Sequence, residues 1–415
     1  MTLEERSDLI LAFAKVLFAN GQSTQTLAAA TRLGDTLGLR ARILPRWGEL
    51  QLHANDPDAQ PISTVAVDPT GVNMERVASA TRAIKDLDAG RLAPGVAMKA
   101  INAISGAPPA PTWLFTLAAA AGAVALAVIF GVEHLPAAAL IFLSAAAGAI
   151  LRRSVAPYSA NIFLQPFGAG LLAGVIGALA VRYDLSSSAR LISVCPCMIL
   201  VPGPHVLSGA LDLIKGRIHL GAARLIYAGL VIMVISTGLL LGLTVFGVSL
   251  PVDQAGRAVP LWQDVIAAGV AVGAYSIFFS MPLHMMAWPV AVGMLAHALR
   301  WGALVVLGYS AATGALIACL VVGAILTPVA RGLQMPFAAI GFAAVVSMIP
   351  GVYLFRMASG VLQLADGSHT TFELLSATIA DGLTAGTIII AMSFGLIVPK
   401  LIIDRLCERS TQAKS

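Results

Sequence analysis

The first hundred residues change hydrophobic period twice. Leu9, Phe13, Val16 and Leu17 share one helical face across residues 3 to 18, and Asn20-Gly21 ends that run. Ser23 or Thr24 caps a second helix with Leu27, Ala30, Leu33 and Leu37 inward, stopped by Gly38. The period then falls to two. Leu50, Leu52 and Ala54, followed by Val65 and Val67, predict strands; Ile43-Leu44 opens the small sheet, and Asp68-Pro69-Thr70-Gly71 is a turn. Two further helices carry Val77, Ala80, Ile84 and Leu87, then Val96, Ala100, Ile101 and Ile104 from Pro94 onward. A Gly- and Pro-rich linker, residues 106 to 111, closes the unit.

Beyond that linker polar positions become sparse. A spanning helix needs about 20 mostly apolar residues. Charge-free runs cover 114–132, 135–151, 154–181, 191–211, 225–252, 265–299, 301–330, 332–355 and 382–399. The run from Val265 is too long for one helix, and Pro282 and Pro289 offer a break, so ten spans are expected.

The two halves of this region match at an offset of about 150 residues. Trp113 and Phe130 correspond to Trp262 and Phe279, Leu151-Arg152 to Leu299-Arg300, and Pro202-Gly203 to Pro350-Gly351. The segments 208–216 and 359–367 share Ser, Gly, Leu, Leu and Gly in register. Five spans per copy is an odd number, so the second copy enters the bilayer from the opposite side. The expected fold is a polytopic α-helical membrane protein of about ten transmembrane helices, built as two inverted five-helix repeats behind a small soluble α/β domain. Its divisions are a cytoplasmic domain 1–110, repeats 111–255 and 256–400, and a cytoplasmic tail 401–415. Inverted repeats are typical of secondary transporters, whose sites lie near mid-membrane where the repeats meet.

Composition agrees. Hydrophobic residues make up 58% and charged residues 11% of the chain, with a mean hydropathy of +0.86. Disorder, a secreted disulfide scaffold and a coiled coil are excluded. Residues 1–111 carry equal numbers of basic and acidic side chains, so the net charge of +5 belongs to the apolar part. That excess reads as cytoplasmic loops and not as a nucleic-acid footprint. With the amino terminus inside, the inner loops and tail hold most of the basic residues, among them Arg152, Arg153, Lys215, Arg331 and Lys414. The outer segments hold Arg182, Arg190, Arg257, Arg300 and Arg356. Both termini are therefore expected in the cytoplasm. The acidic start lacks the order of a signal peptide. Cys195, Cys197, Cys319 and Cys407 lack zinc spacing, and no glycine-rich phosphate loop is present, so neither a metal nor a cofactor is expected.

Two proline–glycine segments should interrupt their helices: Pro202-Gly203-Pro204-His205 and Pro350-Gly351. Unwound backbone inside a bilayer is tolerated only where it is buried in protein or lines a cavity, and the alternative is a kink without a ligand. The stretch from Phe18 through Asn20-Gly21 and Thr24 to Leu37-Gly38-Leu39, the stretch from Val201-Pro202-Gly203 to Asp212 and Gly216, and the stretch from Ile349-Pro350-Gly351 to Arg356 resemble the threonine/serine exporter family. The resemblance covers nearly the whole chain. It implies export of small amino acids across a bacterial inner membrane, driven by the proton motive force. Relatives that split the halves between two proteins resemble succinate exporters, so a dicarboxylate is the alternative substrate. The chain departs from the family pattern after Thr24, where Gln25-Thr26-Leu27-Ala28 replaces an Arg-x-Glu-like pair.

On this reading Pro202, Gly203, His205, Asp212, Pro350, Gly351 and Arg356 form the substrate site, with Asp212 for an ammonium and Arg356 for a carboxylate. Both charges are equally read as interfacial, and His205 as structural. Asp381 carries the coupling proton if the last span starts near Phe372; otherwise it is a helix-start acid. A charge at mid-bilayer costs about 2.5–3.5 kcal/mol on insertion scales, so one that is present usually faces a cavity or a partner. His284 and His297 read as ordinary polar residues near span ends. His53, Glu49, Asp56 and Asp58 read as a solvated loop, against a hydrolase reading for the amino-terminal part. A channel is the other rival. The expected partners are a small-molecule substrate, protons and membrane lipids, with no nucleic acid; a homo-oligomer is compatible with the sequence.

Overall fold

Helices α1 (Leu3–Gly21) and α2 (Thr24–Thr36) precede strands β1 (Ala41–Arg46), β2 (Gly48–Ala54) and β3 (Pro61–Val67) in the computed structural model of the chain. The structure describes all residues except 22–23, 55–60, 133, 160, 184, 186–188, 249–258, 333–336, 368–370 and 413–415. Ser23, Asp56, Asp58, Arg257 and Lys414 lie outside the described residues. The strands form one antiparallel sheet in the order β1-β2-β3. Gly48, at φ +89°, makes the tight β1–β2 turn that an L side chain would strain. Helices α3 (Met74–Asp88) and α4 (Pro94–Gly106) complete this section. Asn73 caps α3 by accepting the Arg76 backbone N–H at 3.1 Å. Leu9, Phe13, Leu17, Leu33, Leu50, Leu52 and Ile84 share its core. The helical and alternating periods of the sequence are those the structure uses.

The apolar region begins with α5 (Thr112–Ile129), α6 (Leu135–Val155) and α7 (Leu164–Arg182). Next come α8 (Ala189–Met198), α9 (Gly203–Ile214) and α10 (Ile218–Thr244). After the undescribed 249–258 come α11 (Leu261–Phe278), α12 (Ala287–Trp301, extended by a π-type turn to Val306) and α13 (Ala311–Gly332). The chain ends with α14 (Phe337–Val345), α15 (Gly351–Asp366) and α16 (Phe372–Gln412). Among the described residues, eight helices are long and apolar enough to cross a membrane, and two further pairs bend by 58° and 57°, which makes ten crossings if each pair is one span. The chain is a multi-pass helical membrane protein. Several span edges differ from the charge-free runs. Helix α7 starts at Leu164 and not near Ser154, because residues 156–159 and 161–163 are uncharged but lie outside any helix. Residues 301–306 extend α12 and do not start α13. Helix α16 starts ahead of Gly382 and runs on through residues 401–412.

Positions paired by the sequence offset share backbone geometry. Helix α5 ends in a C-terminal cap in which Val132 N–H reaches the Ala127 carbonyl at 2.9 Å; α11 ends with Met281 N–H on Ser276 at 2.8 Å. The left-handed position is Gly131 in one and Ser280, at φ 55°, in the other. Serine holds that strained conformation because it is used on three sides. Its hydroxyl accepts the Ala110 N–H, its carbonyl accepts the Glu75 N–H, and the neighbouring Phe279 carbonyl accepts Met74 N–H. The amino-terminal section is thereby fastened to the end of α11.

Glycines bring several pairs of helices into backbone contact, α7 with α10 and α13 with α16 among them. A Cβ at Gly170 would stand 2.6 Å from the Ile235 carbonyl oxygen; at Gly174 and Gly242 it would overlap the carbonyl oxygens of Leu239 and Leu171. On the other side, Gly323 of α13 lies against the Leu396 and Gly395 carbonyls of α16. Lipid tails are as apolar as leucine, so close packing replaces the hydrophobic effect as the force between such helices. Gly174→Ala is expected to cost about 1–3 kcal/mol by overpacking, read as a lower unfolding temperature in detergent. Gly229, whose Cβ would meet open space, should tolerate alanine.

Candidate functional site

Both proline–glycine segments break their helices in the same way. Gly203 N–H donates to the Val201 carbonyl and Gly351 N–H to the Ile349 carbonyl, each at 2.7 Å, an inverse γ-turn around the intervening proline. Pro202 has φ −76° and ψ 57°; Pro350 has φ −74° and ψ 50°. The breaks face each other. A Cβ on Gly203 would lie 2.5 Å from Ile349 Cδ1, and one on Gly351 would lie 3.5 Å from Val201 Cγ2. Helices α9 and α15 start at these points, so their positive ends meet between the halves. The Tyr275 hydroxyl donates at 3.1 Å to the Met198 carbonyl, which also accepts the Val201 N–H at 3.2 Å, and so ties α11 to the first break. A narrow cleft of about 10 Å³, lined by Met198, Val201, Gly203, Ser347, Ile349 and Gly351, separates the two turns.

A larger cavity of about 410 Å³ lies against the first break, on the side that holds the amino-terminal section. Ile199 to Pro202 and His205 form one wall, Arg152, Arg153 and Phe115 another, Tyr227 and Phe278 a third, and Thr70 to Val72 cover it. His205 is 3% exposed. Its Nε2 lies 3.1 Å from the Pro69 carbonyl oxygen. A carbonyl only accepts, so Nε2 carries the proton and Nδ1 is left as an acceptor with no partner among the described residues. Arg152 Nε also meets no acceptor among the described residues. The Arg152 guanidinium lies over Phe278 at 5.4 Å, and that of Arg153 over Phe115 at 4.4 Å. This wall offers donors and positive charge to an anion, with an imidazole acceptor close by.

Each broken helix is tied to the next long helix by an ion pair, with the signs exchanged. Asp212 of α9 lies 3.2 Å from Arg224 of α10, with Arg217 at 3.6 Å. Arg356 of α15 lies 2.9 Å from Asp381 of α16. Asp381 sits inside α16, which starts at Phe372, the placement its expected role requires. Asp212, expected to meet an ammonium, already has two guanidinium neighbours. Arg224 is fully buried and also stacks on Phe18 of α1 at 5.4 Å, so it joins the amino-terminal section to the first break. Trp47 on Tyr227 at 5.3 Å, and Tyr227 on His205 at 4.7 Å, make a second link of the same kind.

One cluster escapes sequence reasoning. His297 is fully buried, with Nδ1 3.0 Å from Asp264 of α11 and Nε2 3.0 Å from the Ser347 hydroxyl, just before the second break. Arg300, one turn further along α12, feels the charge of Asp264. The three residues come from segments far apart in the chain, and no local spacing links them. The only available signal was a histidine and an acid in apolar runs. His284 is exposed, as a residue at a span end should be. His53 and Glu49 lie on β2, where His53 pairs with Gln51 at 3.2 Å and Glu49 with Arg46 at 3.5 Å. Cys195 and Cys197 are free thiols buried in α8, which continues through Pro196.

Two family models match the chain: a threonine/serine exporter model over residues 8–246, and a second model, Threonine/Serine exporter, ThrE, over residues 264–402. No curated protein and no solved structure matches it. The boundary between the two matches falls between α10 and α11, where the sequence offset also divides the apolar region.

Proposed function

The chain belongs to the threonine/serine exporter family, and from that premise we propose that it is a secondary active exporter of small amino acids coupled to the proton motive force. The observation that carries this reading is the meeting of two like breaks beside a cavity that is lined by unpaired polar atoms. The proposal includes the inverted relation of 111–255 and 256–400, a cytoplasmic domain 1–110, both termini in the cytoplasm, and a bacterial inner membrane. The like turns around Pro202 and Pro350 and the exchanged ion pairs support inversion. Rocking one half on the other would open the meeting point to each side in turn.

In this mechanism the substrate enters the cavity beside the first break, where Arg152 and the positive end of α9 attract its carboxylate and His205 Nδ1 accepts from its ammonium or hydroxyl. At the second break a zwitterion separates Arg356 from Asp381, its carboxylate taking the guanidinium and its ammonium the aspartate. A proton on Asp381 removes the second contact. Substrate and proton then exclude each other, which is what antiport requires. Asp212 stays with Arg224 and steadies the first break. Succinate has no ammonium for Asp381 and fits this scheme less well.

Proteoliposomes preloaded with radiolabelled threonine test the reading. External serine should accelerate threonine efflux by counterflow, a pH gradient should drive it, and succinate should do neither. Efflux without counterflow would make the protein a channel, and preference for succinate would change the substrate class.

A further inference from the structure

We infer that Asp264, His297 and Ser347 form a second proton-binding site, separate from the Arg356–Asp381 pair, which takes protons from the cleft between the two breaks. This inference rests on the transport reading and adds to it a site in the second half of the chain.

The geometry is that of a relay. The first end is an acid at a helix start. Asp264 lies in the first turn of α11, where the positive end of the helix favours its charge, and it is buried. The middle is an imidazole with both nitrogens engaged, Nδ1 toward the carboxylate and Nε2 toward the hydroxyl. The far end is a hydroxyl on the wall of the cleft between the breaks. A buried carboxylate in an apolar bundle is costly unless it is paired. Here its hydrogen-bonded partner is an imidazole, a side chain that can take up and release a proton.

The other titratable neighbours are few. Arg300 on the same helix, Cys319 from α13 and Tyr353 from α15 surround the guanidinium end of the cluster; toward the second break, Ser347 is the polar contact. With His297 neutral, Asp264 and Arg300 balance. With His297 protonated, the cluster carries one net positive charge beside the starts of α9 and α15. That state repels a second cation and favours an anion at the meeting point.

The proton step balances without another reagent. Ser347 accepts a proton from a hydronium ion in the cleft while passing its own proton to Nε2, leaving water, neutral serine and an imidazolium stabilised by Asp264. The hydrogen bond between Nε2 and Ser347 reverses direction as this happens. Neutral imidazole accepts from the hydroxyl, whereas imidazolium donates to it and frees the serine proton to turn toward the break. The state of His297 is thereby passed to the residues before Pro350. The same connectivity occurs in hydrolytic triads, but the cleft of about 10 Å³ beside Ser347 holds about one water molecule and no acyl group.

The test uses the full chain in proteoliposomes, with internal pyranine to count protons and radiolabelled threonine to count substrate. Asp264→Asn keeps an acceptor for Nδ1–H but removes the charge that stabilises imidazolium. It should move the pH dependence of threonine exchange to the acid side, because the imidazolium loses its counter-charge. His297→Gln keeps hydrogen-bonding capacity without a titratable proton; it should flatten the pH profile and lower the protons moved per threonine, while exchange at fixed pH continues. Ser347→Ala, the smallest change, should slow pH-driven transport and leave exchange intact, and it decides the matter if the other two variants do not insert. Wild-type pH profiles and proton counts in the variants that insert would overturn the site and leave the exporter reading standing. A wild-type protein that exchanges no threonine would overturn both.

Discussion

Replacing Asp381 with asparagine is expected to lower pH-gradient-driven threonine export by about two orders of magnitude, the lower end of what a positioned acid–base group contributes. The amide keeps the size of the carboxylate and can still accept from Arg356, which lies 2.9 Å away from Asp381. It cannot ionise, so it neither holds a substrate ammonium nor carries a proton. Insertion should be unaffected, because α16 is apolar along most of its membrane length and needs no charge to span. Arg356→Gln with Asp381→Asn should relieve the lone guanidinium and recover stability without recovering transport. Full export by Asp381→Asn, measured in vesicles with an imposed pH step, would remove the residue from the mechanism.

The second large effect concerns stability. Arg224→Met should destabilise the protein by about 3–5 kcal/mol, the usual result of removing one partner of a buried ion pair. Asp212 is 2% exposed and Arg224 fully buried, so the change takes away the nearest guanidinium and leaves the carboxylate with more distant charges such as Arg217 at 3.6 Å. The same substitution removes the contact with Phe18 and loosens the amino-terminal section from α10. Adding Asp212→Asn should recover most of the loss, since replacing both members of a buried pair is often close to neutral. Thermal unfolding in detergent micelles measures both. A single variant as stable as the wild type would show that the pair does not hold the first break in place.

The elements most legible in the sequence are those whose signal is local. Period 3.6 in residues 3–18 and period 2 in residues 50–54 appear as α1 and β2 because each face meets one core. The breaks were legible because proline removes a donor wherever it stands. Span edges were less so: a charge-free run cannot show where Pro157-Tyr158-Ser159 leaves the helix, since those residues carry no charge. The ion pairs lay beyond local reading. Asp381 and Arg356 could each be named as an expensive charge, but their contact depends on how α15 packs on α16. The Asp264–His297–Ser347 cluster was the least accessible, because nothing in the surroundings of any one of these residues along the chain announces the other two. The glycines of α7 and α10 were equally silent. Their meaning lies in the facing backbone, and that neighbour is about 65 residues away in the case of Gly174 and Leu239.

Those glycine seams constrain how the molecule can move. Where carbonyl oxygens of one rod rest on the bare backbone of the next, there is no layer of flexible side chains to act as a lubricant. Sliding α7 along α10, or α13 along α16, would drive peptide groups into one another. Each couple therefore travels as a plank. On the proposed transport reading, the movement that exposes first one face of the bilayer and then the other is therefore one between such planks and not within them.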